Sequence, residues 1–168
     1  MMTPKKQTGA ALIVSLLMLT IMTMIGVTAM QSNLLQEKMA GNFRDTNLAF
    51  QAAEAGLRDG EADVSIRVTG LTGFNSSCSN GLCDATSGFN SVWKDTGSGD
   101  TEDNGVTYGS NTGAIAIANV SCQPRYWIEG FKSWPAGSPS WKVRYRITST
   151  GCGGNADTRV TVQSVFSP

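Results

Sequence analysis

The hydrophobic pattern of the chain begins with an uncharged, mostly apolar segment over 10–30. These 21 residues contain no proline, and as a helix they would span roughly 30 Å at about 1.5 Å per residue, close to the hydrocarbon thickness of a bilayer. Lys5 and Lys6 precede the segment, and the first charge that follows it is Glu37. This positive charge on the near side predicts a single membrane span over 10–31 with a cytoplasmic N-terminus.

The helical pattern continues beyond this segment, but with one apolar face instead of an apolar surface all round. Apolar residues recur at spacings of four, four, seven and seven, which is the period of one helix face. That stripe consists of Leu35, Met39, Phe43, Phe50 and Leu57, with Thr46 and Ala53 in its gaps. The hydrophobic pattern of the helix does not continue after Gly60, so we predict one helix of roughly 75 Å over about 10–59. Its outer half, 32–59, would pack its stripe against a globular domain over 60–168.

The region 60–168 predicts short strands joined by loops. Residues 64–68 alternate in polarity and suggest a first strand, and the apolar positions over 115–120 suggest another. Three further segments alternate more clearly and would form an antiparallel meander: 125–129, 141–149 and 158–166. The predicted fold is therefore α+β, with one apolar face of an antiparallel sheet covering the helix stripe.

Four cysteines in a polar, glycine-rich chain indicate disulfides and an oxidising compartment. Cys78 and Cys83 flank a tight-turn dipeptide, so this loop could close on itself. A metal site on this pair is weakened by its spacing and by the lack of histidine. Cys122 precedes one predicted strand and Cys152 follows the next, and those two ends are adjacent in an antiparallel pair. We therefore favour Cys78–Cys83 and Cys122–Cys152 over the two other pairings.

The composition argues against an enzyme. The 168 residues include no histidine, which removes His-based acid–base catalysis and most zinc or haem sites. The sequence also has no serine-nucleophile motif, phosphate loop or well-defined carboxylate pair. Its 13 basic residues balance 13 acidic ones, so no nucleic-acid partner is expected. We predict no catalytic residue, no metal and no cofactor.

Two sets of residues imitate binding sites. The acidic stretch 95–105 resembles the start of a calcium loop, but the twelfth position is Asn111 instead of glutamate, which favours a solvated loop. Four aromatic residues could line a sugar site, although core packing and strand surface are the commoner roles of such residues. They are Tyr126, Trp127, Trp134 and Trp141.

The N-terminal residues, a short basic leader that ends in Gly9 before an apolar helix, resemble the class III signal of type IV pilins. The downstream sequence carries a more specific resemblance, to the PilX-type minor pilins. The segments that match are 34–58, 123–129, 145–151, the pair Gly153-Gly154, and 160–166. The resemblance covers about 5–59 and 122–166, and it leaves out 60–121, where the family itself varies.

This resemblance implies the type IV pilin fold and a structural role. It implies a leader over 1–9 that prepilin peptidase removes between Gly9 and Ala10, after which the Ala10 amine is N-methylated. The implied partners are other minor pilins, the major pilin and a PilY-type tip adhesin, and the implied roles are priming of pilus assembly, adhesion and twitching motility. The protein would lie in the inner membrane before assembly and in the extracellular pilus afterwards.

Val14 departs from the general pilin pattern, in which the fifth residue of the mature chain is glutamate. In pilin filaments that glutamate pairs with the amine of the neighbour added just before it, because a buried unpaired amine is costly. A subunit without a predecessor has no such amine to neutralise. An apolar residue at this position therefore suits a subunit at or near the tip, although drift at a tolerant position would give the same residue.

Other interpretations of the same residues stay open at this point. The architecture also suits a minor pseudopilin of a type II secretion system, although the sequence over 34–58 argues for the pilus. A signal-anchored periplasmic binding domain would need only the apolar helix. A secreted protein would be cleaved near the small residues Val27-Thr28-Ala29. A membrane-anchored periplasmic enzyme has no support in the residues.

Overall fold

The structure is a computed structural model that describes residues 9–85, 104–134, 136–137 and 139–168. The chain forms two compact units, Met1–Phe43 and Arg44–Pro168. The described residues form one helix and five strands, with a short 3₁₀ turn at Ser79–Gly81 before the first strand. They are α1 Ala10–Arg67, β1 Leu82–Asp84, β2 Val106–Thr107, β3 Arg125–Ser133, β4 Lys142–Cys152 and β5 Arg159–Phe166.

The five strands form one mixed sheet in the order β1-β3-β4-β5, with β2 also paired to β3. Strands β3, β4 and β5 form the predicted antiparallel meander, in which Ile128 lies opposite Ile147 and Gly151 opposite Val160. Strand β1 runs parallel to β3, so the prediction of a purely antiparallel sheet is wrong at this edge. The α+β pilin-like arrangement itself is confirmed, since a long N-terminal helix is followed by a sheet.

The helix is longer than the sequence indicated. Residues 64–67, expected to begin a strand, belong to α1, which ends at Arg67. Val64 is buried on the same helix face as Leu57 and Gly60, because positions three, four and seven residues apart share a face. Gly60 therefore lies inside the helix and does not end it.

The strand expected over 115–120 is absent from this part of the described chain, which is irregular. The side-chain amide of Gln123 donates to the carbonyl oxygen of Ile117 at 2.8 Å, and its oxygen accepts from the Ile117 N–H at 2.9 Å. The side chain of Gln123 thus satisfies the backbone N–H and C=O groups of Ile117, which a neighbouring strand would otherwise have paired. Ile115, a predicted strand residue, is 90% exposed.

The face of α1 that packs on the sheet consists of smaller residues than predicted. Phe50 of the predicted stripe is 47% exposed, and Leu35, Met39 and Phe43 are exposed as well. Ala53 and Leu57 are the members of the stripe that are buried. The buried residues of the helix are Ala49, Ala52, Ala53, Gly56, Leu57, Asp59, Gly60, Asp63 and Val64. Small side chains are favoured here because they allow the backbones of helix and sheet to approach closely.

The hydrophobic core lies between this helix face and the inner face of the sheet. Tyr126, Ile128, Tyr145 and Ile147 of β3 and β4 pack there with Leu57 and Val64 of the helix and Val106 of β2. Partly buried apolar residues surround them, namely Val68, Phe74, Leu82, Val143, Val162 and Phe166.

The opposite face of the sheet is buried at the centre of β3 and β4. Trp127, Glu129 and Thr148 are each 5% exposed or less. Glu129 accepts two hydrogen bonds at 2.7 Å from the guanidinium of Arg146, its partner in the β3–β4 register. This bidentate geometry satisfies a carboxylate that burial would otherwise make costly.

Two disulfides close loops at the sheet. Cys78 and Cys83 are bonded across the 3₁₀ turn, with Cα atoms 4.1 Å apart. Cys122 and Cys152 are bonded with Cα atoms 5.5 Å apart, and they join the approach to β3 to the end of β4. Such cross-links add stability to a domain of modest core by restricting its unfolded chain.

We predict that Gly60→Ala destabilises the globular unit. A Cβ at this position would lie 2.7 Å from Cγ2 of Ile147 and 3.1 Å from the ring of Tyr126, and both neighbours are fully buried. Overpacking of this kind costs about 1–3 kcal/mol. Thermal melting followed by near-ultraviolet circular dichroism should therefore show a lower midpoint.

Gly41→Ala is the matched control for this variant. It lies in the same helix, but a Cβ there meets nothing within 4 Å. Removing a helical glycine favours the helix by about 1 kcal/mol. An unchanged or higher midpoint is expected for Gly41→Ala, and the same result for Gly60→Ala would contradict the close packing described above.

Candidate functional site

The first functional feature is the apolar surface of α1 in the unit Met1–Phe43. Thirteen large apolar side chains between Leu12 and Met30 are each between 53% and 76% exposed. A helix that is apolar all round is stable only among lipid tails or other apolar helices. Among the described residues, α1 is the one helix that is long and apolar enough to cross a membrane.

The polar groups of this segment are satisfied within the helix. Ser15 and Thr20 donate their hydroxyl hydrogens to the carbonyl oxygens of the residues three positions earlier, at 2.9 and 2.8 Å. Thr23 and Thr28 form the same kind of bond. Since a membrane interior offers no water, this internal bonding removes the cost of carrying hydroxyl groups in an apolar segment.

The residues expected to take part in processing lie at the start of this helix. Ala10 is the first residue of α1, and the carbonyl oxygen of Gly9 accepts a hydrogen bond from the Leu12 N–H at 3.2 Å. Val14 follows one turn later and is 55% exposed. Residues 1–8 of the predicted leader, with Lys5 and Lys6, lie outside the described residues.

The second feature is a carboxylate of α1 that binds the loop between β4 and β5. Oδ1 of Asp45 accepts hydrogen bonds from the N–H groups of Gly154 at 2.6 Å and Asn155 at 3.3 Å. The Thr158 hydroxyl, followed by these two amides, lowers the pKa of Asp45 against the opposing effect of desolvation. The loop directly follows Cys152, so the helix, the loop and a disulfide meet at this point.

The third feature is a pair of buried carboxylates one helical turn apart, Asp59 and Asp63. Asp59 accepts from the Gly109 N–H at 2.7 Å and from the Thr112 hydroxyl. Asp63 accepts from the Asn111 side chain at 3.1 Å. These bonds attach the segment around 109–112 to the helix.

Asp63 has two further partners. Arg67 forms a bidentate ion pair with it at 2.7 Å, and the Tyr126 hydroxyl donates to it at 2.9 Å. The ion pair raises the pKa of Arg67, and burial together with the Asp63 charge raises the pKa of Tyr126. Arg67 also donates to the carbonyl oxygen of Asn80, which lies in the Cys78–Cys83 loop.

This carboxylate pair is structural. Each of its four oxygens accepts at least one hydrogen bond from the fold, which satisfies the buried carboxylates. In the part of the chain that the structure describes, no group of three potential metal ligands comes together. The pair is missed when the helix is predicted to end at residue 59, although the spacing of Asp59, Asp63 and Arg67 by four was a readable sign of a continued helix.

The structure separates the four aromatic residues that were grouped in the sequence. Tyr126 and Trp127 are buried in strand β3. Trp134 and Trp141 are 55% and 59% exposed at the end of the β3–β4 hairpin. The predicted acidic loop over 95–105 lies outside the described residues except for its last two, and the side chain of one of these, Asn104, donates to the carbonyl oxygen of Ser77 at 3.1 Å.

Two family models match the chain. The model described as PilX N-terminal matches residues 8–58, and the model described as type IV pilus assembly protein PilX C-term matches residues 79–168. The first match covers most of α1, and the second covers the whole sheet. No curated protein and no solved structure matches the chain.

We predict that Asp45 makes the globular unit sensitive to acid. Because its folded-state pKa is lowered, it contributes stability above its ordinary value of 3.8 and loses that contribution as the pH falls further. Asp45→Asn should therefore lose less stability than the wild type on acidification. The measurement is the melting midpoint of both proteins from about pH 6 down to about pH 2.5, across the range where carboxylates titrate.

Asp157→Asn is the matched control, since it removes one negative charge from the same β4–β5 loop without touching the contacts of Asp45. Its acid response should follow that of the wild type. Identical acid responses for wild type and Asp45→Asn would show that the hydrogen bonds to Asp45 do not stabilise the fold.

Proposed function

The chain belongs to the PilX family of type IV pilus assembly proteins, whose members are structural pilus components, and we propose that this minor pilin primes pilus assembly and sits at or near the tip. Other pilins are its partners by family. In the proposal those partners are other minor pilins, the major pilin and a PilY-type tip adhesin, and the complex supports adhesion and twitching motility. The protein itself carries out no catalysis.

The observation that carries the proposal is the uncovered apolar surface of α1 over residues 12–30. An apolar surface of this kind is stable in a bilayer before assembly and against like helices in a filament core afterwards. The internal bonding of its hydroxyl groups suits both environments equally. Transfer of the helix from the bilayer to the filament core therefore replaces one set of apolar neighbours by another and exposes no polar group.

Val14 supports a position at or near the tip. Filaments grow from the membrane end, so the earliest subunits finish farthest from the cell. The first subunit has no predecessor whose amine needs a carboxylate partner, and Val14 presents an apolar side chain at the position where most pilins carry glutamate.

A minor pseudopilin of a type II secretion system is the second candidate, because it would share the architecture and could share the apolar residue at position 14. Deletion of the gene distinguishes the two. Loss of twitching with normal secretion supports the pilus, whereas loss of secretion with normal twitching supports the pseudopilus.

We predict that prepilin peptidase cleaves the chain between Gly9 and Ala10 and that the new amine is methylated. The intact mass of the membrane-extracted protein should equal that of residues 10–168, with two disulfides and one methyl group. In a strain without the peptidase the mass should be that of the full chain, and the protein should be missing from sheared fibres. A mature N-terminus at Met30 would contradict the proposal in favour of secretion.

We also predict that Val14→Glu impairs priming. Without a predecessor's amine, the new carboxylate would be unpaired in an apolar bundle, which is strongly unfavourable. The amount of major pilin in the sheared fraction should fall several-fold, while Val14→Leu should behave as the wild type. Normal piliation with Val14→Glu would contradict a position without a predecessor.

A further inference from the structure

The end of the β3–β4 hairpin carries an exposed aromatic pair. Trp134 and Trp141 continue the register in which Ser133 lies opposite Lys142, so they face each other just beyond the last paired residues. Their ring centroids are 5.2 Å apart, and the rings are nearly perpendicular at 82°. Such an edge-to-face contact is favourable between aromatic rings and fixes their orientation. The pair is therefore an ordered surface feature.

Both rings are open to solvent, since more than half of each residue is exposed. The turn between them contains the small residues Ala136 and Gly137, which are themselves exposed. The two other large aromatic side chains of strand β3 that were grouped with them are buried in the domain. Core packing, the usual reason for a tryptophan, does not explain this pair.

The face of the hairpin that carries the pair also carries a cation. Lys132 lies opposite Val143, and because side chains alternate along a strand, Lys132 shares its face with Trp134 and Trp141, whereas Lys142 and Arg144 lie on the other face. Among the described residues, Lys132 takes part in no ion pair, and residues 130–145 contain no acidic residue. Lys132 is therefore the cation that a ligand bound on the two rings would meet.

We propose that Trp134 and Trp141, with Lys132 beside them, bind an acidic polysaccharide. The C–H groups on one face of a pyranose ring carry partial positive charge and pack on the negatively charged face of an indole ring. A carboxylate group on the sugar would meet Lys132. This inference does not depend on the proposed role in pilus priming.

The size of the patch favours a polysaccharide over a protein partner. A tryptophan offers about 150–250 Å² when it is fully covered, and about half of that is still open on each ring here. A stable protein interface needs about 800 Å² on each side, several times the area of this pair. The turn also lacks the aliphatic side chains that insertion into a membrane requires.

The test uses the purified full-length chain in detergent micelles and isothermal titration calorimetry. The probe is an oligomer of galacturonic acid, and the neutral control is a galactose oligomer of the same length, which differs by the carboxylate on each ring. Saturable binding of the acidic oligomer, weakened by salt, is expected, with much weaker binding of the neutral one. Failure of the acidic oligomer to bind, or equal affinity for both, overturns the proposal.

Variants assign the binding to the hairpin. Trp134→Ala and Trp141→Ala should each weaken binding by about tenfold or more, because each removes one stacking ring. Lys132→Gln should weaken binding of the acidic oligomer only, whereas Lys142→Gln, on the opposite face of the same hairpin, should bind as the wild type. The controls are Ile115→Ala, which removes an apolar side chain that is 90% exposed, and Arg58→Gln, which removes an exposed cation from α1; both should bind as the wild type.

Two further results would place the binding elsewhere or on a different ligand. Wild-type affinity in the doubly substituted tryptophan variant overturns the proposal, as does binding only to vesicles that contain anionic phosphatidylglycerol. The tryptophan variants should retain the wild-type melting midpoint, because both residues lie at the surface. They should also retain normal piliation, so a failure of the priming role would leave this binding result unchanged.

Discussion

The globular fold depends on how closely α1 approaches the sheet. Gly56 and Gly60 leave room on the helix for side chains of β3 and β4, and Gly151 of β4 lies directly against the helix backbone at Ala49 and Ala53. Ring and methyl groups of the sheet therefore pack against helix backbone instead of against side chains, which gives dense contact over a small area. Because small residues bury little apolar surface, the helix needs the polar contacts of Asp45, Asp59 and Asp63 and the nearby disulfides as well.

The size of the side chains divides α1 between two environments. Over 12–30 the large exposed residues are leucine, isoleucine, methionine and valine, which fill space among lipid tails or neighbouring helices. Over 49–60 the buried residues are mostly alanine and glycine, which suit contact with a sheet. Both stretches belong to one continuous helix. Their different environments therefore follow from their side chains and not from their backbone conformation.

The membrane segment and the β3–β5 meander could be predicted because their signals are local: an absence of charge in the first and strict alternation in the second. The helix end is ambiguous in the sequence, because 64–68 alternates like a strand while Val64 and the four-residue spacing of Asp63 and Arg67 continue the helical pattern. The bonds of Asp63 to Tyr126 and Arg67 in the structure decide for the helix. The apolar stripe predicts a buried Phe50, whereas the close approach of helix and sheet favours its small neighbours Ala49 and Ala53. The two hydrogen bonds between the Gln123 side chain and the Ile117 backbone join residues six positions apart. Such a contact leaves no periodic pattern in the sequence.

The polar contacts of α1 attach the chain to the helix on both sides of residues 86–103. Before residue 86 the chain is held by the Cys78–Cys83 bond and by the donation from Arg67 to Asn80. After residue 103 it is held again, where Asp59 and Asp63 accept hydrogen bonds from residues 109–112. Three of these groups, Asp59, Asp63 and Arg67, lie on successive turns of one helix. One face of α1 therefore fixes both the approach to β1 and the segment that precedes β3, so the register of the helix on the sheet and the positions of these two segments are specified together.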